Sequence, residues 1–205
     1  MNYWENITAA GDVNFTLPAA IVIALWLVAS QRQRLALWWC LIFGGLLILV
    51  GATKLAFIGW GLGIESLDFT GVSGHASRAA AVIPVLVYLR CQKWRTPIRH
   101  WAISAAYAAS ALVAFSRIAI GAHSESEAVI GFTLGCAASA SFIRLASTQA
   151  QIGISSSLAG LSVLMLCSLT LLDPAPTKVW LKNVGVYLSD RSEPFKRGNW
   201  ASSEH

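Results

Sequence analysis

Six apolar stretches take up most of this chain: Val13–Ala29, Leu35–Phe57, His75–Leu89, Trp101–Ser116, Ala128–Leu145 and Ile152–Leu172. A helix of about 20 apolar residues crosses a bilayer, with its backbone hydrogen bonds satisfied internally. Six such runs within 205 residues are more than a soluble core of that size could hide. Charge agrees: Asp, Glu, Lys and Arg make up 12% of the chain, about half of the roughly 25% usual in soluble domains. The expectation is an all-α fold, a polytopic membrane helix bundle of about six transmembrane helices. One domain would cover residues 1–172, with a polar tail over 173–205. The third stretch is short, and Pro84 within it predicts a kink.

The connections set an orientation. QRQR after the first stretch, RCQKWRTPIRH (Arg90–His100) after the third and Arg144 closing the fifth place seven Lys and Arg on one face. By the positive-inside rule that face is cytoplasmic. The N-terminal segment, the loop Gly59–Val72 and the stretch SRIAIGAHSESE (Ser116–Glu127) then face outward. An even span count puts the tail outside too, although it carries Lys178, Lys182, Arg191, Lys196 and Arg197. Its segment KVWLKNVGVYL suits either an interfacial or a docking helix, with disorder toward the end. The N-terminus has no Lys or Arg and carries Glu5 and Asp12, unlike a signal peptide, so no cleavage is expected. Cys40, Cys91, Cys136 and Cys167 are dispersed, without metal-ligand spacing, and read as packing residues.

The outward loops carry Lys54, Ser73, His75, Arg78, Arg117, His123 and Glu127. Ionisable groups near a bilayer core persist when paired or when lining a wet cavity. Lys54, Arg78 and Arg117 suit the negative oxygens of a phosphate, the arginines as planar forks of donors. VSGH opens a helix, so backbone N–H groups of Ser73, Gly74 and His75 are free at the positive end of its dipole. Two histidines without adjacent cysteines suit covalent acid–base chemistry: one attacks, the other protonates the leaving oxygen. His123 and Glu127, four apart, share a helical face, and the carboxylate can orient the imidazole. Glu125 and Asp68 read as solvated loop acids, and Trp60 and Phe69 as interfacial aromatics.

These residues resemble the integral-membrane type 2 phosphatidic acid phosphatases, which share their site with vanadium haloperoxidases. That family's signature combines a lysine motif, P-S-G-H and S-R-x5-H-x3-D. Here VSGH (Val72–His75) stands for the second, Ser116, Arg117, His123 and Glu127 fall in register with the third, and Lys54 fits the first. The resemblance spans Lys54 to Gly131. It implies a metal-independent phosphohydrolase without cofactor. His123 would form a phosphohistidine, with Glu127 orienting it. His75 would protonate the leaving group and then activate water, while Lys54, Arg117 and the backbone around Ser73 and Gly74 hold the phosphoryl oxygens. Three positions depart from the signature. Val72 replaces its proline, and Glu127 its aspartate. Gly61 and Leu62 stand where the first motif ends in Arg-Pro. Arg78, one helical turn beyond His75, could supply the missing guanidinium; otherwise it pairs with Glu65 or Glu127.

The expected function is a lipid phosphatase at the outer face of a bacterial cytoplasmic membrane. Candidate substrates are a polyprenyl diphosphate, phosphatidic acid, phosphatidylglycerol phosphate or a lipid A phosphate. The partners are that substrate and the bilayer, with no nucleic acid. The alternatives are a lipid-to-lipid phosphotransferase and a non-catalytic protein that binds or moves anionic lipid, which accounts for the cations but not for two histidines and a carboxylate.

Overall fold

The structure, a computed structural model, describes residues 3–149, 151–169 and 177–197. They form eight α-helices: α1 (Tyr3–Ala9), α2 (Val13–Ala29), α3 (Gln33–Trp60), α4 (Gly74–Arg90), α5 (Thr96–Ala119), α6 (Glu125–Ser147), α7 (Ser156–Leu169) and α8 (Thr177–Leu188). A 3-10 turn at Glu65–Leu67 and a bridge between Ile64 and Phe69 shape the loop from α3 to α4. The fold is all-α, with no strand among the described residues.

Four segments are long and apolar enough to cross a membrane: Tyr3–Ala29, Gln33–Trp60, Thr96–Ala119 and Glu125–Ser147. The helices in the third and sixth expected stretches, α4 and α7, have 17 and 14 residues. That is fewer than the about 20 of a full perpendicular span. The last residues of the sixth stretch, 170–172, lie outside the described residues. α4 continues as one helix through Pro84. Large apolar side chains point outward, with Ile48 74% and Leu37 61% exposed, which suits lipid rather than water.

Helix α4 is the hub, packed on α2, α3, α5 and α6. Its Ala76, Ala79, Ala80 and Ala81 are fully buried, so neighbouring backbones come close. On α6 the matching residues are Gly131 and Gly135. A Cβ on Gly131 would lie 2.7 Å from the Ser73 carbonyl oxygen, and one on Gly135 would collide with that of Ser77. Small residues facing small residues is how helices associate in a bilayer, where packing contacts rather than hydrophobicity hold them. Farther along, Trp39 donates to the Ala20 carbonyl at 2.8 Å and packs on Phe43 and Phe142.

The bundle has two chemically distinct ends. At the basic end Ser30 donates to the Gly153 carbonyl and Ile152 N–H to Gln92 Oε1, which gathers three connections. At the other end lie α1, the α3–α4 loop, the α5–α6 loop and α8. A Cβ on Gly185 of α8 would meet Ile58 at 2.6 Å, and Phe195 N–H donates to the Ile58 carbonyl at 2.9 Å. The tail therefore docks at the end opposite the basic connections, and its helix packs on α3. Its final stretch, 198–205, where disorder was expected, lies outside the described residues. Cys91 is buried, whereas Cys40 is exposed rather than packed.

Candidate active site

The start of α6 builds the first half of the site. After α5, Gly121 (φ 65°) takes a left-handed turn that glycine accommodates without strain, and the His123 N–H returns to the Arg117 carbonyl at 3.2 Å. Ser124 then caps α6 in a capping box: its hydroxyl accepts from Glu127 N–H, and the Glu127 carboxylate accepts from Ser124 N–H. The cap aims Glu127 inward, where it is fully buried. His123 Nδ1 meets Glu127 Oε2 at 2.6 Å. Burial pushes the His123 ring below the usual histidine range; the Glu127 hydrogen bond opposes this, and the charges of Lys54 and Arg117 reinforce it.

The start of α4 builds the second half. Ser73 is its N-cap residue and Gly74 and His75 form its first turn, whose N–H groups a helix leaves unpaired. One expectation is corrected here: Ser73 N–H is not free but donates to the Glu127 backbone carbonyl at 3.1 Å, which pins α4 to α6. Lys54, Arg78, Arg117 and His123 all act electrostatically on His75, and Lys54 and Arg117 also act on His123. Both imidazoles therefore share one cationic environment. Among the described residues, the buried side-chain polar atoms without a hydrogen-bond partner are Ser73 Oγ and Arg117 Nε. Both belong to that environment. Ser116, by contrast, bonds back to Val113 in its own helix.

Sequence patterns did not reveal the N-terminal segment's part in this. Asp12 Oδ2 lies 3.4 Å from His75 Nε2, while its Oδ1 caps α2 at Asn14 N–H. Thr8 accepts from Arg117 Nη1 at 2.8 Å. Arg78 pairs with neither Glu65 nor Glu127: its Nε donates to Thr16 Oγ1 and its Nη2 to the Gly11 carbonyl, both at 3.1 Å. Its Nη1 lies over Gly74, 2.7 Å from where a Cβ would be.

The profile of the PAP2 superfamily matches residues 60–151, which includes both histidines, Glu127, Arg78 and Arg117. The chain belongs to the PAP2 superfamily. Members of that superfamily are phosphatases, which supports a phosphoric ester hydrolase here. An uncharacterized 22.5 kDa protein in the cps region of Klebsiella pneumoniae is 37% identical over 199 residues, covering 95% of this chain and 95% of that one. No solved structure matches. The PAP2 match begins after Lys54, so that lysine's place rests on the geometry alone: its backbone and side chain pack against Gly71, just before VSGH.

Asp12, Thr70 and Arg197 also join this cluster. Thr70 N–H donates to Glu127 Oε1 at 2.7 Å, and its hydroxyl donates there too. Arg197 Nη2 reaches the same oxygen at 2.8 Å. Asp68, expected to be a solvated acid, accepts from Arg197 Nη1 at 2.9 Å. The signals differ in strength. Thr70 lies two residues before VSGH, and Asp12 is an acid at the mouth of an apolar stretch. Nothing local marks Arg197.

Proposed function

We propose that the chain hydrolyses a phosphate ester or diphosphate of a membrane lipid, through a phosphohistidine on His123 and without a metal. One observation carries this reading: two orphaned buried atoms, Ser73 Oγ and Arg117 Nε, accompany a histidine whose other nitrogen is already tied to a buried carboxylate. Buried polar groups are almost always paired, and phosphoryl oxygens would pair these.

The steps follow from the geometry. Glu127 holds the His123 proton on Nδ1, which leaves the Nε2 lone pair as the nucleophile. Nε2 attacks phosphorus, the P–N bond forms, and the P–O bond to the leaving group breaks. His75 gives its proton to the departing oxygen. Water then attacks phosphorus, His75 takes up its proton, and the P–N bond breaks to release phosphate and regenerate His123. Lys54, Arg117, Ser73 and the Gly74 N–H hold the phosphoryl oxygens as charge moves. Arg78 adds a guanidinium edge over Gly74 and anchors the N-terminal segment that carries Asp12. Asp12 Oδ2, 3.4 Å from His75 Nε2, is placed to accept from the ring once it carries a proton there.

A lipid substrate is supported by a cleft of about 200 Å³ between α5 and α6. Its walls include Ala114 and Ile118, on the helix that carries Arg117, and Ala128 and Val129, which follow Glu127. An acyl or prenyl chain entering from the bilayer would lie there with its phosphate at the site. The seven basic residues gathered at the opposite end support an outward-facing site in a bacterial cytoplasmic membrane.

The test is phosphate release from short-chain lipid phosphates by the detergent-purified protein, with EDTA present. Release that persists in EDTA, is blocked by orthovanadate and is lost in His123→Ala with lipid binding retained is the expected result. A phosphorylated lipid acceptor in place of inorganic phosphate would mark transfer instead. Binding without turnover by the wild type would contradict the reading.

A further inference from the structure

Glu127 divides its carboxylate between two tasks. Oε2 accepts from His123 Nδ1 at 2.6 Å and from Ser124 N–H at 3.3 Å. Oε1 accepts from Thr70 twice and from Arg197 at 2.8 Å. Arg197 is 70 residues from Glu127 in sequence, so a dedicated path must bring it there. α8 closes on α3 where Gly185 meets Ile58 and where Gly59 faces Ser189. Phe195 N–H then bonds the Ile58 carbonyl, and the Phe195 ring lies where a Cβ of Gly61 would come within 3.0 Å. Arg191 sits 4.1 Å over the same ring. Gly61, left-handed at φ 69°, ends α3 and leaves the space that lets the tail pass. The tail's guanidinium thus arrives at this corner as part of a packed structure, and Asp68 holds its other edge.

We propose that Arg197 is a positioning residue of this site: it fixes Glu127 at Oε1 and offsets its charge, and so sets how firmly Glu127 holds a proton on His123. A fully buried carboxylate is costly unless paired and hydrogen-bonded. Left with Thr70 alone, it would turn its whole charge on the imidazole, favour imidazolium and remove the nucleophile's lone pair. Arg197 shares that charge. The other groups facing His123 are Lys54 from α3, His75 from α4 and Arg117 from α5, all of which disfavour a proton on its ring when charged. Asp68 faces Arg197 itself and is half-exposed, so it shares Arg197 with Glu127.

The proposal rests on His123 as the nucleophile, and its test reads the ring directly so that the two can fail separately. The full-length protein, labelled with 13C-histidine and held in detergent micelles, is titrated by NMR as wild type, Arg197→Ala, Arg197→Gln and Arg197→Lys. The His123 resonance is assigned by its loss in His123→Ala. Losing the charge should move the His123 titration upward by about half to one pH unit in the alanine and glutamine variants, with lysine close to wild type. The acid limb of kcat/KM should move the same way, with a loss of about threefold or less on the plateau. Glutamine keeps the bulk if alanine loosens the tail. An unmoved His123 titration in a folded Arg197→Gln protein would overturn the proposal, as would a lysine variant that titrates like the alanine one. If the wild type releases no phosphate, the phosphatase reading falls while the titration still decides the role of Arg197.

Discussion

The site contains two histidine–carboxylate pairs, and they are built differently. His123 and Glu127 straddle the N-cap of α6, four residues apart in sequence and 2.6 Å apart in space, with the carboxylate fully buried and held on its far side by Thr70 and Arg197. His75 and Asp12 come from distant segments, stand 3.4 Å apart and are 20% and 29% exposed. The first pair is clamped. The second is slack, beyond the usual hydrogen-bond length. The difference fits the roles proposed for the two imidazoles. A nucleophile gains from one fixed tautomer and a fixed direction of attack. A residue that first gives a proton and later takes one has to let its partner go.

That contrast orders the substitutions. His123→Ala should abolish turnover, by roughly 10⁴-fold or more, while short-chain lipid phosphate still binds in an equilibrium assay. Glu127→Gln should cost about 10² to 10³-fold in kcat, because the tautomer is no longer fixed. It also removes the hydrogen bond that supports a proton on His123. The sign follows: His123 then stays neutral to lower pH, so the acid limb of kcat/KM shifts down, opposite to Arg197→Ala. Asp12→Asn should cost less, about tenfold. Its loss should concentrate on substrates with a poor alkoxide leaving group and nearly vanish with a nitrophenol. Equal losses with both leaving groups would break the distinction between the two pairs. A smaller effect concerns wild-type pH dependence: since burial lowers His123, the acid limb should fall below the usual histidine range near pH 6.5.

How much could be read from the sequence divides along the same line. The apolar stretches foretold the helices because hydropathy over a span is a local property. The His123–Glu127 pair was visible because the two lie four residues apart, although they do not share a helical face as expected: His123 stands just before the N-cap Ser124, whose capping box with Glu127 turns the carboxylate back to the ring. Asp12 and Arg197 were not visible. They reach the site only after the chain ends fold over it, and each side chain is ordinary for its neighbourhood: an acid capping α2, an arginine in a polar tail. The engagement of Ser73 N–H escaped for a related reason, since free N–H groups at a helix start are the rule until a neighbouring helix supplies a carbonyl, as Glu127 does here. Arg78 illustrates the middle case. Its position near the site followed from helical spacing, but its partners, Thr16 and the Gly11 carbonyl, belong to the N-terminal segment.

The most direct measurement is to catch the covalent intermediate. Full-length protein mixed with a short-chain lipid phosphate, quenched in base within milliseconds and digested, is mapped by mass spectrometry under conditions that preserve phosphoramidates. A phosphoryl group on His123, missing from His123→Ala and accumulating in His75→Ala with a nitrophenyl substrate, is the expected result. Steady phosphate release with no phosphohistidine in any variant, or a phosphoryl group carried by a different residue, would contradict it.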